Sequence, residues 1–211
     1  MAMERTSGDG GWRGSPDIWL NVAYDALLEG GVDAVRIQVL AKTLDLSRTS
    51  FYWFFKDRDA LLAALIERWR ETNTRNIVLR SQAYAETIAE AMLNVFDCWL
   101  DRALFDAPFE FAVRSWALQS EDTLREVQEA DRDRLAALGE MFKRFGFAES
   151  EADVRARTVY LVQIGYISMQ TREDSETRLR RLPDYVEIFT GTRPLAREFD
   201  RFRSRHMAAT G

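Results

Sequence analysis

The chain has 211 residues, 46% of them hydrophobic and 12% aromatic, enough for a substantial core in one domain or two. A formal net charge of -5 excludes a polycation, so any role on nucleic acid has to rest on a local patch. Cys98 is the single cysteine, which excludes an intramolecular disulfide and a multi-cysteine zinc site and points to a reducing, cytoplasmic setting.

Residues 1–15 carry Gly, Ser and mixed charge with no apolar run, and read as a disordered arm rather than a secretory signal. From residue 16 the apolar period is helical. Ile18, Trp19, Val22, Ala23, Ala26 and Leu27 recur at three- and four-residue steps behind Pro16 and Asp17, and Gly30 and Gly31 supply a stop, which predicts a helix over 17–29. Val39, Leu40, Ala41 and Leu44 mark a short second helix. Leu46, Phe51 and Phe55 mark a third, with only Asp45–Ser47 between them. Asp57, placed as an N-cap, opens a fourth through Leu61, Leu62, Leu65, Ile66 and Trp69, long enough to reach residue 79.

Beyond it, Ile88, Met92, Val95, Phe96, Trp99 and Ala103 form one stripe, and Pro108 restarts the pattern in PFEFAVRSWALQ. Two long helices follow, over 121–145 and 149–171. Pro183 is expected to open a short helical segment ending near Gly191, and Pro194 precedes the charged amphipathic tail LAREFDRFRSRHM. No Val/Ile/Thr alternation suggests a sheet, and the most apolar stretch, VYLVQIGYISM, is too short to span a bilayer. The expected fold is all-α, with small helices over 16–56 and a larger helical body over 57–211.

Two short helices joined by a tight turn, the second opening on Arg48, Thr49 and Ser50, form the pattern of a helix-turn-helix, whose second helix presents its first side chains to the major groove. The run FYWFF at 51–55 then divides. Phe51 and Phe55, spaced i and i+4, anchor this helix on the first, while Tyr52 and Trp53 look outward, where a phenol hydroxyl or an indole N–H can donate to phosphate.

The stretch LLEGGVDAVRIQVLAKTLDLSRTSFYWFFKDRDALL, Leu27 to Leu62, resembles the DNA-binding domain of TetR-type regulators. The resemblance puts Gln38 at a helix-two contact to DNA and Arg48, Thr49 and Ser50 at the base-facing start of the recognition helix. It puts Tyr52 on phosphate, Trp53 beside it, and Arg58 where a lysine usually meets the backbone. Asp45 replaces the usual turn glycine, and Arg36 and Ile37 replace threonines, which removes a helix cap. Over 13–58 six bases face six acids, so a modest salt dependence and a reliance on dimerisation for affinity are expected.

The resemblance further implies a homodimer on a palindromic DNA operator, released when a small-molecule effector binds the larger domain. The dimer would form through helices over 149–171 and about 184–190, with Tyr160, Gln163, Ile164, Ile167 and Tyr185 as contacts. For the effector pocket, Phe96, Trp99, Trp116, Met141, Phe142 and Phe145 form an aromatic and thioether-rich set, although such stripes are more often plain core. Arg114 and Asp131 are either a structural ion pair joining two helices or part of an anionic-ligand site, and the ion pair carries the greater weight.

An enzyme is a distant alternative. His206 is the only histidine and lies in a charged tail, so no histidine triad or histidine metal site can be built within a protomer, and no cofactor motif is present. The nearer alternative is a helical small-molecule-binding or interaction protein of the same architecture without operator binding.

Overall fold

The computed structural model describes residues 14–207, so nearly all of the arm expected over 1–15 lies outside the described residues. Among the described residues every regular element is helical, as the periodicity predicts. The chain divides into two compact units at Leu65 and Ile66, within helix α4 (Arg58–Trp69) and later than residue 57.

In the first unit, α1 (Pro16–Gly30) starts on Ser15, whose Oγ accepts from the Ile18 N–H, and buries Trp19, Ala23 and Leu27 at i, i+4 and i+8. It ends at Gly31, whose φ of 71° suits a residue without Cβ, and whose N–H returns to the Leu27 carbonyl at 3.0 Å. Helix α2 (Ile37–Thr43) has no side-chain cap, since Arg36 sends its Nε back to the Asp33 carbonyl at 2.7 Å instead. Asp45 makes the turn at φ 52°, the left-handed conformation that its short polar side chain tolerates. Ser47 then caps α3 (Arg48–Phe51), a helix of a single turn that loosens through Phe55. Phe51 is fully buried, edge-on to Trp19 at 5.3 Å and stacked on Phe55 at 5.5 Å, and its burial contributes on the order of 2–3 kcal/mol.

The expected single helix from Asp57 to residue 79 is three pieces. Asp57 does cap α4, accepting from the Ala60 N–H at 2.8 Å, but α4 gives way to a π-helical turn over Arg70–Thr74 and then to α5 (Arg75–Gln82). The wide turn brings Thr74 inward beside Trp69, Asn73 and Ile77, all of them buried. Asn73 is held there by exchanging hydrogen bonds with the backbone of Asp106, 3.0 Å to its carbonyl and 2.9 Å from its N–H. Apolar periodicity cannot register this, because polar side chains create the demand.

The second unit continues with α6 (Ile88–Leu100), α7 (Ala107–Ala117), α8 (Glu121–Arg144) and α9 (Glu149–Ser168). Helix α8 packs along α9, and α7 packs on both. Met92, Leu138, Phe142 and Val159 are central to the core. The segment assigned to start at Pro183 is corrected: α10 runs over Ser175–Thr190, capped by Asp174, with Pro183 in its interior. The lost N–H and the clash of an interior proline are destabilising, and they are offset where Leu182, Val186 and Phe189 go into the core. The charged tail forms α11 (Ala196–Met207), which buries Phe202.

Candidate nucleic-acid interface and effector site

The turn at Asp45 and the cap at Ser47 leave the first residues of α3 on the surface. Arg48 and Thr49 are exposed there, as is Gln38 on α2. Tyr52 and Trp53 follow at 56% and 64% exposure, directly beside fully buried Phe51, so the aromatic run divides as its spacing predicts. Phe51 fixes the angle of the segment, and a guanidinium, two hydroxyls and an indole project from it.

Two expected DNA contacts are placed elsewhere. Ser50 is buried, with its Oγ 3.0 Å from Ser47 Oγ and its N–H on the same atom at 3.2 Å, so it completes a helix cap. Arg58 turns back into its own unit, donating Nε to the Val35 carbonyl and Nη2 to the Val32 carbonyl, each at 2.6 Å. Its fork satisfies two carbonyls of the segment between α1 and α2, which a lysine could not do in the same geometry. It is a strut of the fold.

In the second unit, Arg114 and Asp131 are an ion pair, with Arg114 Nη1 to Asp131 Oδ2 at 3.2 Å, and they belong to a larger network. At its centre lie Glu110 and Arg134, both fully buried. The Glu110 carboxylate accepts five hydrogen bonds: from Trp69 Nε1 at 2.7 Å, Asn73 Nδ2 at 2.9 Å, Arg114 Nε at 2.9 Å and Arg134 at 2.7 and 3.2 Å. Arg134 continues to Thr74 Oγ1 at 3.0 Å and to the Tyr160 hydroxyl at 2.8 Å, and its guanidinium lies over the Trp69 ring. Tyr160 accepts from Arg114 at 2.9 Å as well and donates to Asp131 at 2.6 Å.

Two arginines balance two carboxylates in this network, and burial alone would raise Glu110. The charges of Arg134 and Arg114, with hydrogen bonds from Arg134 and Asn73, outweigh that and hold it down to about 2. Burial pushes the Tyr160 phenol well above its usual range.

The remaining residues nominated for an effector pocket do not converge. Met141 and Phe142 are core, while Trp116 and Phe145 are half-buried and line neither of the cavities described here. Phe96 and Trp99 line a slot of about 30 Å³ with Tyr166, Tyr185 and Phe189, room for little more than one water. The Trp99 indole N–H, buried there, has no acceptor among the described residues. A much larger cavity, of about 1000 Å³, lies between α5, α6, α10 and α11 and is lined by arginines that sequence reading did not single out. The only signal was the basic, amphipathic character of LAREFDRFRSRHM. Cys98 is buried, which pushes its thiol up to about 12 and leaves it a small core hydrophobe.

The residues nominated for a dimer interface turn toward the protomer's own core. Tyr160, Gln163 and Ile167 are buried within the protomer, and Ile164 and Tyr185 pack against the same core. Helix α9 has a second apolar stripe: Val154, Leu161, Val162 and Met169 are exposed along its outer side, and Ile188 of α10 is exposed as well. With apolar residues on both sides of α9, periodicity alone does not say which stripe faces inward.

The first unit is thus a helix-turn-helix with polar and aromatic side chains at the start of its second helix. Residues 20–65 match the sequence model described as bacterial regulatory proteins, tetR family, so the chain carries the N-terminal domain of the TetR family. No curated protein sequence matches it. Among solved structures it is similar to a protein from Mesorhizobium loti assigned to the TetR family of transcriptional regulators, with 16% identity, a TM-score of 0.61, and coverage of 83% of this chain and 95% of that one. It is also similar to Salmonella enterica GusR, with 15% identity, a TM-score of 0.58, and coverage of 92% and 93%. The reduced form of E. coli NemR is similar at 15% identity and a TM-score of 0.59, with coverage of 85% and 99%. At these identities the likeness is one of fold.

The Glu110 network carries an acid-stability signature. With its folded pKa held at about 2, below an unfolded value near 4.3, Glu110 contributes about 3 kcal/mol that is complete above about pH 5.5. Roughly half of it is lost by pH 3 as the carboxylate becomes protonated in the unfolded chain. Urea denaturation followed by circular dichroism should show Glu110→Gln destabilised by about 3–5 kcal/mol at pH 7, because Arg134 is left buried without its counter-charge, with a shallower fall toward pH 3. Equal stability of the two proteins at pH 7 would contradict the assignment.

Proposed function

We propose that this protein is a cytoplasmic transcriptional repressor that binds a palindromic operator as a homodimer and is released from it by a small molecule. The observation that carries the reading is the division of residues 48–53: Phe51 is locked against Trp19, while Arg48, Thr49, Tyr52 and Trp53 are presented outward from a helix-turn-helix. Arg48 and Thr49 read base edges in the major groove. Tyr52 and Trp53 donate to phosphates, with Gln38 beside them, and set register without reading sequence.

The balance of six bases and six acids over 13–58 makes each half-site contact weak, so two recognition segments spaced about one DNA turn apart are needed for useful affinity. The outer stripe of α9, with Val154, Leu161 and Val162, is the surface best suited to join two copies. An effector then acts by binding better to the arrangement in which the half-site spacing is wrong, since only differential affinity shifts the equilibrium.

Two measurements test this. Tyr52→Phe should weaken binding to specific and nonspecific DNA by similar factors, whereas Arg48→Ala should also cost about 1–3 kcal/mol of base discrimination. Unchanged affinity of Tyr52→Phe for both DNAs would remove the phosphate contact. For the dimer, Leu161→Glu places a charge on the outer stripe, and sedimentation at micromolar concentration should then show a monomer. A dimer that survives this substitution would put the interface elsewhere.

A further inference from the structure

The cavity between α5, α6, α10 and α11 is lined by two kinds of side chain. Arg80, Arg180, Arg203 and Arg205 supply charge, and Leu100, Leu104, Leu179 and Phe199 supply apolar surface. Counting Arg102, five arginines line it against three acids, Asp97, Asp101 and Glu176, in a chain whose net charge is -5. The excess of positive charge is therefore local to this cavity.

How these charges are already used decides what remains for a ligand. Asp97 is buried and takes up three bases at once: Arg80 at 3.3 Å from α5, and Arg205 at 3.2 Å and His206 at 2.8 Å from α11. One carboxylate thus already finds a fitted place in this wall. Arg180 of α10 makes no ion pair among the described residues, and the partner of Arg203 is Asp200 on its own helix, an exposed pair of the kind that contributes little. Both guanidiniums are exposed and available to a second anion.

We propose that this cavity binds an amphipathic organic acid, its anionic head held by Arg180 and Arg203 and its hydrocarbon body laid over Leu100, Leu104, Leu179 and Phe199. The volume of about 1000 Å³ is at the upper end of small-molecule sites. Guanidinium forks pair equally with a carboxylate or a phosphate monoester, so the shared chemistry is a planar or tetrahedral oxyanion on an apolar chain. The inference names the effector class of the regulator proposed above and rests on that reading for its use. The binding itself is measured without DNA, so either can fail alone.

The test is calorimetric titration of the full chain with decanoate, decyl phosphate and decanol, each below its aggregation concentration. One molecule of at least one acid per protomer should bind, with decanol at least tenfold weaker. Arg180→Gln combined with Arg203→Gln should weaken the acids tenfold or more and leave decanol unchanged. Arg125→Gln, on the exposed side of α8, should change nothing. Whichever acid binds more tightly identifies the head group. Absence of binding by both acids, equal binding of decanol, or acid binding indifferent to the double substitution would overturn the proposal.

Discussion

The pairing of Glu110 with Arg134 is the constraint on which the larger unit depends. Neither side chain is exposed, and the pair is held by Trp69, Asn73 and Thr74 from α4 and the π-helical turn and by Tyr160 from α9, with Arg114 and Asp131 completing it from α7 and α8 themselves. A buried pair of this kind adds little net stability over an apolar replacement, but removing one member is costly. It therefore acts as a register pin: the helices must arrive so that every donor finds its acceptor. The π-helical turn follows from that demand, because it places both Asn73 and Thr74 on the inward side.

The same network has a consequence for ligand binding. A charge-balanced, hydrogen-bonded centre fills the space around Glu110 and Arg134, and opening it would leave charges unpaired in a dry interior. A wide cavity lies at the periphery, beside α11, where arginines line it. The aromatic slot around Trp99 is closed down to about 30 Å³. The tail helix, which reads in isolation as a solvated amphipathic segment, is a cavity wall anchored by Phe202 in the core and by the Arg205 and His206 contacts to Asp97.

Most of the architecture was legible from apolar spacing and capping signals: α1 behind Pro16, the α2–α3 turn at Asp45, α7 behind Pro108, and the two long helices α8 and α9. What escaped has physical reasons. Pro183 reads as a start signal because an interior proline is costly, yet packing of the helix around it outweighs that cost. The fourth helix reads as continuous because a π-turn held by polar side chains leaves no apolar signature. Arg58 looks from its position like a phosphate ligand, but its partners are the carbonyls of Val32 and Val35, which no spacing rule reveals. Among the site residues, the outward set at 48, 49, 52 and 53 was readable because buried Phe51 fixes which way its neighbours point. The faces of α9 were not readable, since both carry apolar residues.

On the proposed function, the first unit reads an operator as one half of a dimer. Selection of bound duplexes from a random pool by the purified protein, followed by titration of the enriched site across salt concentrations, tests it most directly. An enriched palindrome with half-sites about one helical turn apart and a modest salt slope is expected. Failure to enrich any site with a protein that is dimeric in solution would contradict it and leave a helical ligand-binding protein without an operator.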